Sequence, residues 1–588
     1  MIKILHKYGI GLFNKNNDVY NGISNDFTDL QKTIVANRLK TIGNLEEVIY
    51  NNYNFKEKIY ELKDLKEAGE LIASHIKKQS NILLVTDYDS DGVNSAIVLH
   101  KSMVDIFKMK YNVNLFTIVN KRKNGNGINN TLLNEILTLN EKHKIGVIIT
   151  ADHGSGNESA FKVIREHNID VVLTDHHLIP EDNYPISANV FVNPQRTDSY
   201  FSKNISGCFV AFLTILSAYD SLNGKIDLDK FNFLLPFVAV TTISDVMSLK
   251  DPINRYIMDK GLKELNSLSS PLWRTLHDKL RLANTIDATD IGYKIAPLIN
   301  TANRTDSEEI AFKLLNSSTV EETLEYFKIL SKLSDYRKSV QKELMVAVYE
   351  QVKVNKYHNS IVVVLNSELA INGIIAGRIG SEYLKPTVCF IGNKKSDVLA
   401  GSARGIIDGL DLYEIFNQIH TEDSTILIKF GGHEQAGGCS IHVDRINDFK
   451  KLFDKYVLLK LKDIPKKYDF IDMFINVSDI TPDTISELDR MSPYGKNWVQ
   501  PKFASIVHIK YFRAYGDLIK LDIKVSSSRT IQCVYFNNPL SNVRIDELQQ
   551  LINNDIPLLI VYNPTISSFG GVTNIQLKIQ TIFDITKD

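Results

Sequence analysis

Residues 81–92 read NILLVTDYDSDG: a short run rich in branched apolar side chains, then aspartates at 87, 89 and 91 and a glycine at 92. A run of this length, bounded by turn-forming residues, predicts a strand buried on both faces, as in a parallel sheet. Working outward, the runs NVNLFTIV, KIGVIIT, DVVLT and NVFVN repeat the pattern, separated by amphipathic stretches such as VNSAIVLHKSMVDIF and ESAFKVIREH. Such alternation predicts βαβ units and an α/β domain with a parallel sheet over 81–304.

On either side the character changes. Residues 1–80 carry apolar side chains at helical spacing in LQKTIVANRLKTIGNLEEVIY and ELKDLKEAGELIASHI, which predicts a helical entry segment. Residues 305–355, rich in Glu, Lys and Leu and free of Pro and Gly, predict a helical connector. A second α/β domain is expected over 356–462, with SIVVVL, TVCFI and TILIKF as strands, NGIIAGRIGSEY as a helix, and a further helix at about 445–462. Over 463–588 the runs KFASIVHIKYF, LIKLDIKV, TIQCVYF, IPLLIVY and NIQLKIQTIF predict a small closed barrel of the OB-fold kind. At 588 residues, several domains are expected, since a single core stops growing at about 250–300 residues.

Composition narrows the class. An apolar fraction of 44% with 23% charged residues is that of a globular chain rather than a disordered one. The N-terminal sequence has no apolar run of signal-peptide length, and the most apolar stretch, FNFLLPFVAVTTISDV, is broken by Pro236 and closed by Asp245, so a cytoplasmic protein without membrane spans is expected. The four cysteines, at 208, 389, 439 and 533, are too dispersed for a C-x-x-C site and read as reduced, buried thiols. A formal net charge of -1 does not advertise nucleic-acid binding. Acidic residues that serve as metal ligands would offset that objection, because bound cations cancel their charge.

The polar residues that stand out all follow apolar runs: Asp87, Asp89 and Asp91 after ILLVT, Asp152 after VIIT, and Asp175, His176 and His177 after VVLT. The carboxyl ends of parallel strands form the ligand crevice of an open sheet, so these groups are expected to converge. Converging carboxylates repel and raise one another's pKa unless a cation compensates, and His mixed with Asp favours manganese or another transition metal over calcium. Two ions about 3.5–4 Å apart would suit hydrolysis of a phosphodiester. The D-x-D-x-D-G opening also matches an EF-hand loop, but its twelfth position is Val98 instead of Glu and a strand precedes it. Taken singly, Asp175-His176-His177 could be a helix N-cap with two surface histidines, Asp152 a strand-ending turn, and Asp245 a helix cap.

In order, these motifs resemble the DHH phosphoesterase superfamily and, within it, the RecJ single-strand-specific exonucleases. VTDYDSDG, ITADHG, TDHH and TISDVMSL are similar to its four acidic motifs. VNKRKNGNG, VNPQR and IAPLINTANR resemble its intervening segments. INGIIAGRI, GSAR at 401–404 and FGGHEQAGGCSI resemble the DHH-associated domain, and SPYGKNWVQPKF resembles the segment leading into the oligonucleotide-binding barrel. His153, Phe209 and Asn303 depart from the family pattern, the last two where it usually has Gly.

The resemblance implies a metal-dependent 5′ to 3′ exonuclease on single-stranded DNA, acting in recombination, repair or replication with two divalent ions, manganese before magnesium. It implies metal ligands at Asp87, Asp89, Asp91, Asp152, His176 and Asp245, with Asp152 shared between the ions, and a phosphate-facing role for His177. Arg122, Arg304, Arg404 and Ser402 are the expected phosphate contacts, with Gly431, Gly432 and His433 close to the nucleotide. Tyr511, Phe512 and Tyr535 are aromatic residues of the barrel that either stack on bases or fill its core. The expected partners are single-stranded DNA and a single-strand-binding protein or helicase, with the chain a monomer. Two rival readings are a DHH-type phosphodiesterase on oligoribonucleotides or cyclic dinucleotides, and an inactive nucleic-acid-binding scaffold.

Overall fold

Ile82 to Val85 are fully buried because the strand Asn81–Thr86 lies inside a five-stranded sheet covered on both faces. This is seen in the computed structural model, which describes residues 10–12, 15–39, 53, 55–355, 357, 359–392, 397–432, 434–463, 469–515, 518–526, 529–536, 543, 545–569 and 572–586. Across the sheet the order is Asn114–Val119, Asn81–Thr86, Ile145–Ala151, Asp170–Thr174, Val190–Val192, and every neighbouring pair is parallel. One face packs Leu83, Val85, Ile148 and Val171 against Leu132, Ile136, Phe161 and Ile164 from the helices Asn130–His143 and Glu158–Glu166. Helices Leu65–Lys77, Ser90–Lys101 and Gly207–Asn223 also pack on the sheet. Burial on both faces explains why these strands read as continuous apolar runs rather than as alternation.

The chain enters at the second strand, runs to the near edge, then crosses back to the third strand and continues to the far edge. Its direction therefore reverses between Asn81–Thr86 and Ile145–Ala151, which is where open α/β sheets bind ligands. Register completes the arrangement: Thr86 pairs with Ala151, and Ala151 with Thr174, so Asp87, Asp152 and Asp175 leave adjacent strands at one level.

The chain divides into two compact units, one of residues 41–337 with 493–499, the other of 1–40, 338–492 and 500–588. Within the connector stretch lie the helices Glu308–Asn316 and Val320–Lys353. In the second unit a mixed sheet has the order Lys429–Gly432, Ala436–His442, Val398–Arg404, Thr387–Gly392, Ile361–Asn366. Only its last two strands are parallel to each other. The expected strand TILIKF begins late: Asp423 Oδ1 accepts from the Thr425 amide and hydroxyl, and Ile426 and Leu427 enter the core from that turn before the strand starts at Lys429.

The C-terminal strands Phe503–Tyr515, Leu518–Lys524, Thr530–Phe536, Val572–Asp584 and Leu558–Phe569 pair in that order, and the last returns to the first, closing a five-stranded barrel. Tyr535 is in its core and Tyr511 is half exposed. The N-terminal residues are mixed rather than wholly helical. Strand Ile10–Leu12 pairs with Asp469–Ile471, and helices Asn17–Gly22 and Asp29–Arg38 follow. Arg38 holds buried Asp472 through Nε at 3.0 Å and Nη2 at 2.8 Å. Residues 40–52, where LQKTIVANRLKTIGNLEEVIY continues, lie outside the described residues. All four cysteines are free and buried. Among the described residues no helix is long and apolar enough to cross a membrane.

Close approach of Leu65–Lys77 to Gly207–Asn223 depends on Gly69, where a Cβ would fall 2.3 Å from Ser217 Oγ and 2.5 Å from its carbonyl carbon. Overpacking of this kind costs about 1–3 kcal/mol. Gly69→Ala is expected to lower unfolding free energy by that amount in urea denaturation.

Candidate metal centre

Asp89 is the N-cap of helix Ser90–Lys101, its Oδ1 accepting from the amides of Asp91 (2.9 Å) and Gly92 (3.3 Å). One oxygen is thereby committed to the helix start and the carboxylate is fixed at the strand end. Gly92 is needed there, since a Cβ would lie 2.2 Å from the Asp87 carbonyl oxygen. One residue inside the helix, Asp91 is 2% exposed and reaches the start of a different helix, Gly207–Asn223. There the amides of Gly207 and Cys208 donate to its two oxygens at 2.7 and 2.9 Å. A helix N-terminus is a natural seat for an anion. Gly207 is also the point of contact with Asp152: a Cβ would sit 2.6 Å from Asp152 Oδ1.

Asp152 leaves its strand with φ +63, a turn that an aspartate tolerates, and is 2% exposed. His176 Nδ1 donates to the Ile205 carbonyl at 2.9 Å, which fixes the neutral ring with the Nε2 lone pair inward. That Nε2 lies 3.2 Å from Asp152 Oδ1, 3.6 Å from Asp91 Oδ2 and 3.6 Å from Asp245 Oδ2. Asp245 caps the C-terminus of helix Leu235–Ser244. Three overlapping sets result, in each of which one ligand-capable atom per residue lies within 4.8 Å of the others: Asp87, Asp89 and Asp152; Asp91, His176 and Asp245; Asp152, His176 and His177.

The donor set fits divalent metal ions. Asp87 Oδ1, Asp152 Oδ1 and His176 Nε2 are buried without a hydrogen-bond partner, an arrangement that is costly unless a cation takes their lone pairs. A backbone carbonyl on the far nitrogen of an inward histidine is the usual support of a metal-binding imidazole. Burial, reinforced by Asp89, pushes the Asp87 carboxyl up to about 8 and that of Asp91 to about 7. Burial followed by neighbouring carboxylates raises Asp152 and Asp245 well above the ordinary range. Burial also lowers His176, to about 4.

His177 has a different environment. Its side chain is 49% exposed, and Nδ1 donates to Asp175 Oδ1 at 2.8 Å. Asp175, one of the converging polar residues in the sequence, has no ligand role assigned there, and the structure makes it the partner of His177. It is fully enclosed by donors: the His176 and His177 amides on Oδ1, and the Ser155 amide and hydroxyl on Oδ2. Burial alone would lower the His177 pKa, but the Asp175 carboxylate outweighs it and pushes it up to about 10. The turn after Asp170–Thr174 is not a helix start, so the N-cap alternative for these residues falls away.

Of the expected phosphate contacts, Arg122 lies over the Tyr88 ring at 5.7 Å, and its amide donates to Glu308. Arg304 ends the segment in which Asn300 Oδ1 accepts from the Ser90 amide at 3.1 Å. Ser402, Arg404, Gly431 and Gly432 belong to the other unit. There Arg404 Nη1 donates to Ser402 Oγ at 3.1 Å, and Ser402, Gly438 and Gly431 lie side by side across three strands. A Cβ at Gly431 would meet nothing within 4 Å, so its own unit does not demand the glycine, whereas Gly432 has φ +131 and needs it. His433 lies outside the described residues. Among the departures, His153 Nε2 donates to the Val85 carbonyl at 3.1 Å, Phe209 stacks parallel to Phe55 in the core, and Asn303 donates to Asn300. Gly207 and Asn300 were missed as site residues because they act through contacts distant in sequence, on Asp91 and Ser90. Without Asp175 the His177 ring loses its counter-charge. Asp175→Asn is expected to bring its titration from near 10 back toward neutral pH, read by imidazole nitrogen chemical shifts on metal-free protein.

The family models for the DHH family, N-terminal domain, the DHHA1 domain and the RecJ OB domain match residues 81–235, 358–458 and 471–581, together more than half of the chain. The single-stranded-DNA-specific exonuclease RecJ of Bacillus subtilis (strain 168) is 27% identical over 534 residues, covering 89% of this chain and 63% of that protein. The RecJ of Escherichia coli (strain K12) is 24% identical over 546 residues, covering 89% of this chain and 91% of that protein. The solved structure of RecJ from Thermus thermophilus in complex with Mn2+ shares the fold with a TM-score of 0.76 at 18% identity, over 97% of this chain and 78% of that one. With its DHH, DHHA1 and RecJ-type OB segments in that order, the chain belongs to the RecJ family of DHH phosphoesterases.

Proposed function

We propose that this chain is an exonuclease that hydrolyses phosphodiester bonds of single-stranded DNA from the 5′ end with two divalent metal ions. The observation that carries the reading is the set of buried, unpartnered ligand atoms on Asp87, Asp152 and His176 at the switch point of the sheet. Asp87, Asp89 and Asp152 would hold one ion and Asp91, His176 and Asp245 the other, with Asp152 shared. Bound there, two divalent cations offset the carboxylate charge, acidify water and stabilise the attacking and leaving oxygens of an in-line displacement. Manganese suits the mixed Asp and His donors, with magnesium the alternative.

The chain's own groups do the rest. Asp91 and Asp89 are held by backbone amides, so their carboxylates need no rearrangement on metal binding. His177, kept protonated by Asp175 and half exposed beside the cluster, donates a hydrogen bond to the scissile phosphate or the leaving oxygen. Arg122 and Arg304 offer forked donors to phosphate oxygens, and Ser402, Arg404, Gly431, Gly432 and His433 are the strand-holding groups of the other unit. On the barrel, Tyr511, Arg513 and Tyr515 share one face of a strand and are exposed, which suits base stacking and backbone neutralisation. A barrel favours long strands over dinucleotides. The proposed setting is the cytoplasm, as a monomer working on strands exposed by a helicase or coated by a single-strand-binding protein, in recombination, repair or replication.

Incubation with single strands labelled at either end tests this. Metal-dependent release of the 5′ label is expected, abolished by chelation and reduced at least about 10³-fold by Asp152→Ala. No metal-dependent release, or loss only of the 3′ label, would overturn the reading.

A further inference from the structure

The loop that carries Asp245 is under backbone strain. Helix Leu235–Ser244 ends in a full Schellman turn, with the Val246 amide donating to Ile243 O at 3.1 Å and the Met247 amide to Thr242 O at 3.0 Å. The left-handed residue of that turn is normally glycine, yet here it is Val246 at φ +56. A β-branched side chain in this conformation is an outlier, and such strain persists only where surrounding structure enforces it.

The enforcing contacts come from a distant stretch of sequence. Residues 493–499 belong to the same compact unit as the metal cluster. They form a tight hairpin, with Gly495 and Trp498 exchanging backbone hydrogen bonds. Trp498 is fully buried under the Arg255 guanidinium, 4.9 Å from the ring centroid, and Arg255 Nη1 donates to the Pro493 carbonyl at 3.1 Å. From this anchor the hairpin grips the chain just after the strained turn. The Leu249 amide donates to the Lys496 carbonyl at 2.8 Å, and Asn497 Nδ2 donates to Ser248 Oγ at 3.1 Å. Gly495 abuts Leu249 so closely that a Cβ would lie 2.8 Å from its Cδ1.

On the helix itself, Thr241 and Asp245 are one turn apart, Thr241 bonding Ser206 Oγ at 2.9 Å and Asp245 Oδ2 facing His176. Ile243, Val246 and Met247 instead line a cleft of about 210 Å³ shared with Tyr494, Gly495 and Lys496. The hairpin thus supports the loop away from the carboxylate.

We propose that Pro493–Val499 is a positioning element for Asp245, clamping the strained turn at Val246 so that the carboxylate stays aimed at His176 and Asp91. The inference rests on the reading of the cluster as a two-ion site. The hairpin's hydrogen bonds run to Ser248, Leu249 and Arg255, and it acts on metal affinity through Asp245.

Titration of the full chain with Mn2+, following free Mn2+ by electron paramagnetic resonance, tests it alongside steady-state kinetics on single-stranded DNA. The unaltered chain is expected to bind two ions. Trp498→Ala is expected to weaken one of the two by about tenfold, the usual effect of removing support behind a ligand. The turnover number falls at limiting Mn2+ and recovers in excess, with KM for DNA unchanged. Trp498→Phe retains affinity, and Val246→Gly added to Trp498→Ala restores part of it by removing the strain. Asn497→Gly, which keeps the left-handed backbone of Asn497 (φ +60) and deletes only the bond to Ser248, shows a smaller loss at the same site. Wild-type affinity at both sites in Asn497→Gly and in folded Trp498→Ala overturns the inference; if Trp498→Ala does not fold, Asn497→Gly decides alone. An unaltered chain that binds no Mn2+ overturns the two-ion reading itself.

Discussion

Mutual repulsion among buried carboxylates is the constraint around which the catalytic unit is built. Asp87, Asp91, Asp152 and Asp245 all have carboxyl groups pushed up by burial and by one another. A chain collapsing on hydrophobic grounds alone would not gather them. Two aspartates of the cluster are held by fixed dipoles that cost nothing further to arrange: Asp91 on the amides of one helix start, Asp89 on those of another. The glycines at 92 and 207 then let backbone and carboxylate approach closely enough for the cluster to close. Metal ions would supply the remaining compensation, making the same repulsion a source of affinity.

Much of this was legible in the sequence, for a definite reason. Strands covered on both faces are apolar through their interiors, so 81–86, 145–151 and 170–174 announce themselves, and the candidate site residues follow at their ends. His176 and His177 could be told apart only in three dimensions, one supported by the Ile205 carbonyl and turned inward, the other paired with Asp175 and half exposed. Sequence failed where side chains are small. The strands Val398–Arg404 and Ala436–His442, rich in Gly, Ala and Ser, carry almost no hydrophobic periodicity. Their positions are set by pairing with apolar neighbours, a non-local effect.

Residues 493–499 illustrate the same limit on a larger scale. They lie inside the stretch matched by the RecJ OB domain, 471–581, yet fold with residues 41–337. The unit of inheritance and the unit of folding therefore have different edges in this chain. An exchange of barrels between relatives at the sequence-defined border would also swap the hairpin beneath the Asp245 loop. A chimera joined after Val499 keeps what one joined at 470 loses.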